Sequence, residues 1–104
     1  DVGWEIYPEG IKTVVQSVKK YGWPIYITEN GIADASDSMR PKFICDHLRA
    51  LESAIDAGAN VKGYYHWSIY DNFEWSLGYG PKFGLFSVDF VTQERTARPS
   101  AYLY

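Results

Sequence analysis

Three observations predict an α/β fold in which helical crossovers join parallel strands. Two short runs, Ile25–Thr28 and Val61–Trp67, are rich in apolar and β-branched or aromatic residues and have strand rather than helix length. Before each of them apolar residues recur at helical spacing, at Ile11, Val14, Val15 and Val18, and again at Ile44, Leu48, Leu51 and Ile55. Turn residues stand at the junctions, namely Gly22, Asn30-Gly31 and Gly58.

Taken in order, Pro8 to about Tyr21 is expected to be a helix that Gly22 stops. The strand ending at Glu29 follows, and Asn30-Gly31 tolerates the positive φ with which the chain turns out of it. Residues 32–37 form a polar loop. Asp37 or Ser38 can cap a second helix, with Pro41 tolerated in its first turn and Gly58 at its end. Val61 to Trp67 is the second strand. A right-handed strand–helix–strand crossover makes the two strands parallel and delivers Glu29 and Trp67 to the same rim.

Glu29 is the most telling residue, because a carboxylate closes a strand that is otherwise apolar or β-branched. Strand ends of this kind are where α/β barrels keep their catalysts. A helix cap or a partner for an Arg is the other reading of Glu29. Downstream, the 27 positions from Tyr64 to Phe90 hold ten of the eighteen aromatic residues, with Asp71, Asn72 and Glu74 among them. Pyranose rings pack a C–H face on flat aromatic side chains and need charged or amide partners for their hydroxyls. An aromatic core under a long loop is the alternative, and it is the preferred one for Tyr65, Phe86 and Phe90. Glu74, between Phe73 and Trp75, needs donors if it is buried, and a ligand's hydroxyls would supply them.

Thr28-Glu29-Asn30-Gly31, Trp67-Ser68, Asp71-Asn72-Phe73-Glu74-Trp75, Gly78-Tyr79 and Phe83-Gly84-Leu85, with Gly3-Trp4-Glu5-Ile6-Tyr7-Pro8-Glu9-Gly10 near the amino end, resemble in order and spacing the carboxy-terminal part of a family 1 glycoside hydrolase, the β-glucosidase and β-galactosidase family. The resemblance runs over essentially the whole chain. Asp34 and Arg40-Pro41 lean toward its archaeal and thermophilic branch. The fold this implies is the carboxy-terminal part of a (β/α)8 barrel, as one piece of a single catalytic domain spanning residues 1–104. Such a barrel takes about 250 residues, so a fragment is expected. The absence of an initial Met and of a secretory signal before Asp1 points the same way, and Tyr104 falls where a last barrel helix would start.

By the same resemblance Glu29 is the catalytic nucleophile of a retaining glycosidase, which forms a glycosyl ester while a second carboxyl group about 5 Å away protonates the leaving oxygen. Trp67 is implied to be the floor under the reacting sugar, Glu74 the acceptor for its outer hydroxyls, Trp75 a neighbouring indole donor, and Phe83 a further pocket residue. The phosphoglycosidase branch carries a small polar residue where Glu74 stands, so unphosphorylated glucosides or galactosides are the expected substrates. The family's acid/base segment, Thr-x-Asn-Glu-Pro, does not occur here, nor do its upstream Gln, His-Trp pair and Asn. Lys82, Tyr70 and Leu103 are smaller departures, which bear on specificity and packing.

Composition sets further limits. A net charge of −3 and dispersed Lys and Arg argue against a nucleic-acid surface, and no apolar run reaches membrane-spanning length. Lone Cys45 excludes an intrachain disulfide and fits a reducing, cytoplasmic compartment. Beside Asp46 and His47 it is read as a structural thiol, since adjacent helical side chains diverge by about 100°. Two separated histidines and no Gly-rich phosphate loop leave neither metal nor organic cofactor expected. A carbohydrate-binding module would use similar aromatics on a β-sandwich, which two helices contradict. A barrel fragment without turnover of its own is the other alternative. Unpaired strand edges and uncovered apolar side chains imply complementary chains carrying the remaining barrel segments, or self-association as a homo-oligomer.

Without the acid/base segment, the purified 104-residue chain is expected not to turn over aryl β-glycosides. Release of aryl alcohol that disappears on Glu29→Gln would reveal a second catalytic carboxylate within this chain.

Overall fold

The computed structural model describes residues 1–104. Helix α1 (Pro8–Val18) runs into a 3-10 turn, Lys19–Tyr21, and Gly22 ends it at φ 71°. Strand β1 (Ile25–Asn30), helix α2 (Arg40–Asp56) and strand β2 (Val61–His66) complete the expected crossover. The two strands pair in parallel, with Tyr26 opposite Gly63 and Asn30 opposite His66. Farther along lie a short antiparallel pair, β3 (Phe86–Val88) with β4 (Arg95–Ala97), and helix α3 (Pro99–Leu103).

The two helices cover one face of the β1–β2 pair. Val15 of α1 and Leu51 and Ala54 of α2 bury themselves there with Ala59, against Ile25, Ile27, Val61 and Tyr64. Covering a leucine such as Leu51 is worth about 2 kcal/mol. A second cluster, Phe43, Ile44 and Leu85, joins α2 to the segment before β3. Only 20 of the 104 residues are buried, and the radius of gyration of 15.0 Å exceeds the roughly 13 Å of a compact chain of this length, so the chain is an open layer around two small clusters.

Several details differ from the sequence reading. Leu48, Ile55, Val14 and Val18 are exposed; α2 instead buries Arg40, Phe43, Ile44, His47, Ala50, Leu51 and Ala54, because its inner face also meets the loop after β1 and the chain before β3. Tyr65 is 57% exposed rather than in the core, since strand alternation sends Tyr64 toward the helices and Tyr65 to the opposite face beside Tyr26. Phe86 and Phe90 are half-buried.

The loop before α2 is polar but packed inward, with Ala33, Asp34 and Asp37 all buried. Neither Asp37 nor Ser38 caps α2. Asp34 does: its Oδ2 accepts the N–H groups of Met39 at 2.8 Å and Arg40 at 3.1 Å, and its Oδ1 takes the Ser36 hydroxyl. Asp37 is committed elsewhere, receiving the Arg40 guanidinium and both the N–H and hydroxyl of Ser100 at the start of α3. Burial alone would raise the Asp34 pKa, but these donors and the Arg40 charge outweigh it and hold the carboxyl below its ordinary value. Asp46 is engaged by Lys42 and Arg49, and His47 Nδ1 faces the Phe43 carbonyl, so neither serves Cys45 as a catalytic partner.

His66, at the end of β2, is buried against Phe43 and Tyr104, with no hydrogen-bond partner on either ring nitrogen. Burial and the nearby Arg40 and His47 charges, opposed by Asp37, push its pKa down to about 4 from 6.5. The unfolded chain therefore takes up a proton that the folded chain refuses as the pH falls below 6.5, and stability drops until the folded group also titrates near pH 4. At about 1.4 kcal/mol per pKa unit this amounts to about 3 kcal/mol. Denaturant unfolding at pH 7 and pH 4 should show that loss, and His66→Phe should remove most of it.

Candidate active site

The parallel pairing extends one residue past β2, as Trp67 N–H donates to the Asn30 carbonyl at 2.9 Å. Across this junction the backbones touch: a Cβ on Gly31 would lie 1.6 Å from the Trp67 carbonyl oxygen. Only glycine fits there, and the reason is this close approach rather than the expected positive φ, which neither Asn30 nor Gly31 adopts; the backbone after Glu29 and that of Trp67 are held in mutual contact. Asn30 is fixed from behind, its Oδ1 accepting the Tyr64 hydroxyl at 2.8 Å. Burial raises the Tyr64 pKa, which keeps the phenol protonated as the donor.

After Trp67 the Trp67–Ser68 peptide is cis, and residues 68–71 run beside 83–86. Ser68 N–H donates to the Phe83 carbonyl at 3.2 Å, Leu85 N–H to Ser68 at 2.8 Å, and Phe86 N–H to Ile69 at 2.8 Å. Between these stems the chain makes a loop, residues 72–83, in which Glu74 precedes a 3-10 turn, Trp75–Leu77.

Glu29, Asn30, Gly31, Trp67, Glu74, Phe83 and Trp4 line one cleft of about 200 Å³. That is small beside the usual 300–1,000 Å³ of drug-sized pockets and suits a single small ring. Four of the five residues singled out from sequence are thus brought together from three separate segments. Trp75 is not among them; it stands 81% exposed beyond the lining. Glu29 and Glu74 form no ion pair within the chain, so both carboxylates remain available to a ligand.

Trp4 was missed as a site residue. Its ring lies 6.0 Å from that of Phe83, although the two are 79 positions apart. The signal was its place in the Gly3-Trp4-Glu5 motif, to which the sequence reading gave no role. Chemically, the cleft is lined by two carboxylates and by aromatic side chains, a surround suited to a polar ring with an apolar face.

The family description Glycosyl hydrolase family 1 matches residues 1–104. The chain belongs to this family. A β-galactosidase of Pyrococcus woesei is 50% identical over 98 residues, covering 94% of this chain and 19% of that protein. A 6-phospho-β-galactosidase of Leptotrichia buccalis is 45% identical over 116 residues, covering 100% of this chain and 25% of its own length. The crystal structure of a hyperthermophilic β-glucosidase from Pyrococcus furiosus superposes with a TM-score of 0.96 at 48% identity, covering 99% of this chain and 22% of that one. The family 1 chain therefore spans about a fifth to a quarter of the length of these relatives, and its solved-structure neighbours are barrel glycosidases. The archaeal and thermophilic lean of Asp34 and Arg40-Pro41 agrees with the two Pyrococcus likenesses.

Gly31→Ala should force the Asn30 turn and Trp67 apart. The expected cost is about 3 kcal/mol of stability, the upper range for overpacking, with an altered near-ultraviolet signal from the displaced indole. An unchanged denaturation midpoint would mean that the two backbones are not held in contact.

Proposed function

We propose that this chain supplies the carboxy-terminal βα units of a (β/α)8 retaining β-glycosidase that cleaves unphosphorylated β-glucosides or β-galactosides. The observation that carries the reading is the single cleft in which Glu29 meets Trp67, Glu74 and Phe83. Glu29 attacks the anomeric carbon from a strand end and becomes a glycosyl ester; water then cleaves the ester, and configuration is retained. Trp67 carries the apolar face of the sugar. Glu74 accepts hydrogen bonds from its outer hydroxyls and Phe83 closes the cleft behind them, while Trp75, outside the cleft, is given no contact with the ring. The proton for the leaving oxygen comes from a carboxyl group outside these 104 residues, contributed by the rest of the barrel.

The likeness to a 6-phospho-β-galactosidase raises phosphorylated substrates as a second reading. Glu74 in the cleft disfavours it. A carboxylate beside a sugar phosphate sets like charges together in a partly desolvated site, which is costly.

In the full-length enzyme, Glu29→Ala should abolish turnover while leaving substrate binding intact. Added azide or formate should then restore cleavage with inverted product, because the small anion occupies the position of the missing carboxylate. With azide the product is the glycosyl azide, and a β configuration of that azide, read by NMR, would remove Glu29 from the nucleophile's role.

A further inference from the structure

Asp71 stands outside the cleft, yet its contacts converge on the base of the loop that carries Glu74 and Phe83. The side chain is 2% exposed and faces Arg98, which is 11% exposed. Asp71 Oδ1 accepts the Gly84 N–H at 2.9 Å and Arg98 Nη1 at 3.0 Å, while Oδ2 accepts Arg98 Nη2 at 2.9 Å. The same Arg98 Nη1 donates to the Gly84 carbonyl at 2.6 Å, and Arg98 N–H donates to the Leu85 carbonyl at 2.9 Å. One guanidinium thus ties the start of the loop to its end. The two stems are also locked at backbone contact, since a Cβ on Gly84 would come within 2.3 Å of the Asp71 nitrogen and 2.4 Å of the Phe86 oxygen.

Asn72 Nδ2 also donates to Ser68 Oγ at 3.1 Å, and the Lys82 carbonyl is held by Arg40 at 2.7 Å, but Glu74 itself makes only bonds within the loop. Its N–H donates to the Gly78 carbonyl at 2.7 Å, a bond internal to the loop, so where its carboxylate stands relative to Trp67 follows from where the stems are clamped. We propose that Asp71, held by Arg98, is a positioning residue for sugar recognition: it sets the place of Glu74 and Phe83 against the bound ring. The proposal rests on the reading of Glu74 as acceptor for the outer hydroxyls. A carboxylate is needed because the site presents donors to both oxygens. An Asn would turn its Nδ2 toward Arg98 or toward the Gly84 N–H, donor against donor, and the loop would reseat.

The test compares two substrates in the full-length enzyme, an aryl β-glucoside and its 4,6-dideoxy analogue, which lacks the outer hydroxyls. Asp71→Asn should lower kcat/KM for the first by about thirtyfold and for the second by less than about threefold, the scale expected when a charged hydrogen bond to substrate is misplaced. In a Glu74→Gln background the further loss on the glucoside should shrink to less than about threefold, because the residue being positioned is already disabled. Arg98→Lys keeps a charge and loses the fork, so it should show the same substrate bias more weakly. It also serves as the readable variant if Asp71→Asn fails to fold. Equal losses on both substrates, or a loss undiminished by Glu74→Gln, would overturn the positioning role and leave a stabilising ion pair. If Glu74→Gln itself leaves the glucoside unaffected, the reading of Glu74 fails first and takes the proposal with it.

Discussion

The architecture of the site depends on one buried cation. Arg40, with no exposed side-chain surface, opens α2 and donates to Asp37, to the Asp34 carbonyl at 2.6 Å and to the Lys82 carbonyl at 2.7 Å. Through these bonds it joins the loop that follows Glu29 to the residue that precedes Phe83, while Asp37 carries the connection on to Ser100 and α3. Asp34 N–H reaches the same Lys82 carbonyl at 2.9 Å. A buried ion pair of this kind adds little net stability compared with a well-packed apolar substitute, but removing one partner leaves a charge stranded at a cost of about 3–5 kcal/mol. Its contribution is registration. Segments more than 40 positions apart acquire fixed relative places, and the walls of the cleft inherit them.

Around that anchor the packing is one-sided. The helices bury one face of β1–β2, and the opposite face carries Tyr26 and Tyr65 in the open, with Gly63 leaving room for the Tyr26 ring. Each strand pairs on one side only. In a closed barrel these would be inner strands with neighbours on both sides, and the exposed tyrosine face would point toward the interior. The cleft follows the same logic. It has aromatic and carboxylate walls from this chain, which is a fifth to a quarter as long as its relatives.

Polar and backbone contacts, rather than apolar area, give the site its definition. Gly31 against Trp67, Gly84 against Asp71, and the forks of Arg40 and Arg98 all act at distances where a displacement of a few tenths of an ångström is felt, whereas the apolar clusters comprise four and three buried residues. A small apolar core tolerates rearrangement; close backbone contact and bidentate hydrogen bonds do not.

Much of this was legible in the residues themselves. Period-3.6 apolar spacing, strand-length runs and glycine stops located α1, β1, α2 and β2 to within a few residues, because local propensity and pattern decide elements of that length. Parallel pairing followed from crossover handedness, and with it the shared rim of Glu29 and Trp67. What the sequence could not decide is which polar side chain meets which. Asp34 rather than Asp37 caps α2 because the loop folds back on itself and Asp37 is taken by Arg40 and Ser100. Trp4 enters the cleft and Trp75 leaves it for the same reason: each depends on contacts between segments far apart in the chain, which no local pattern encodes. Periodicity reports which face of an element is apolar, whereas partner choice among buried charges and rings is a property of three-dimensional packing alone.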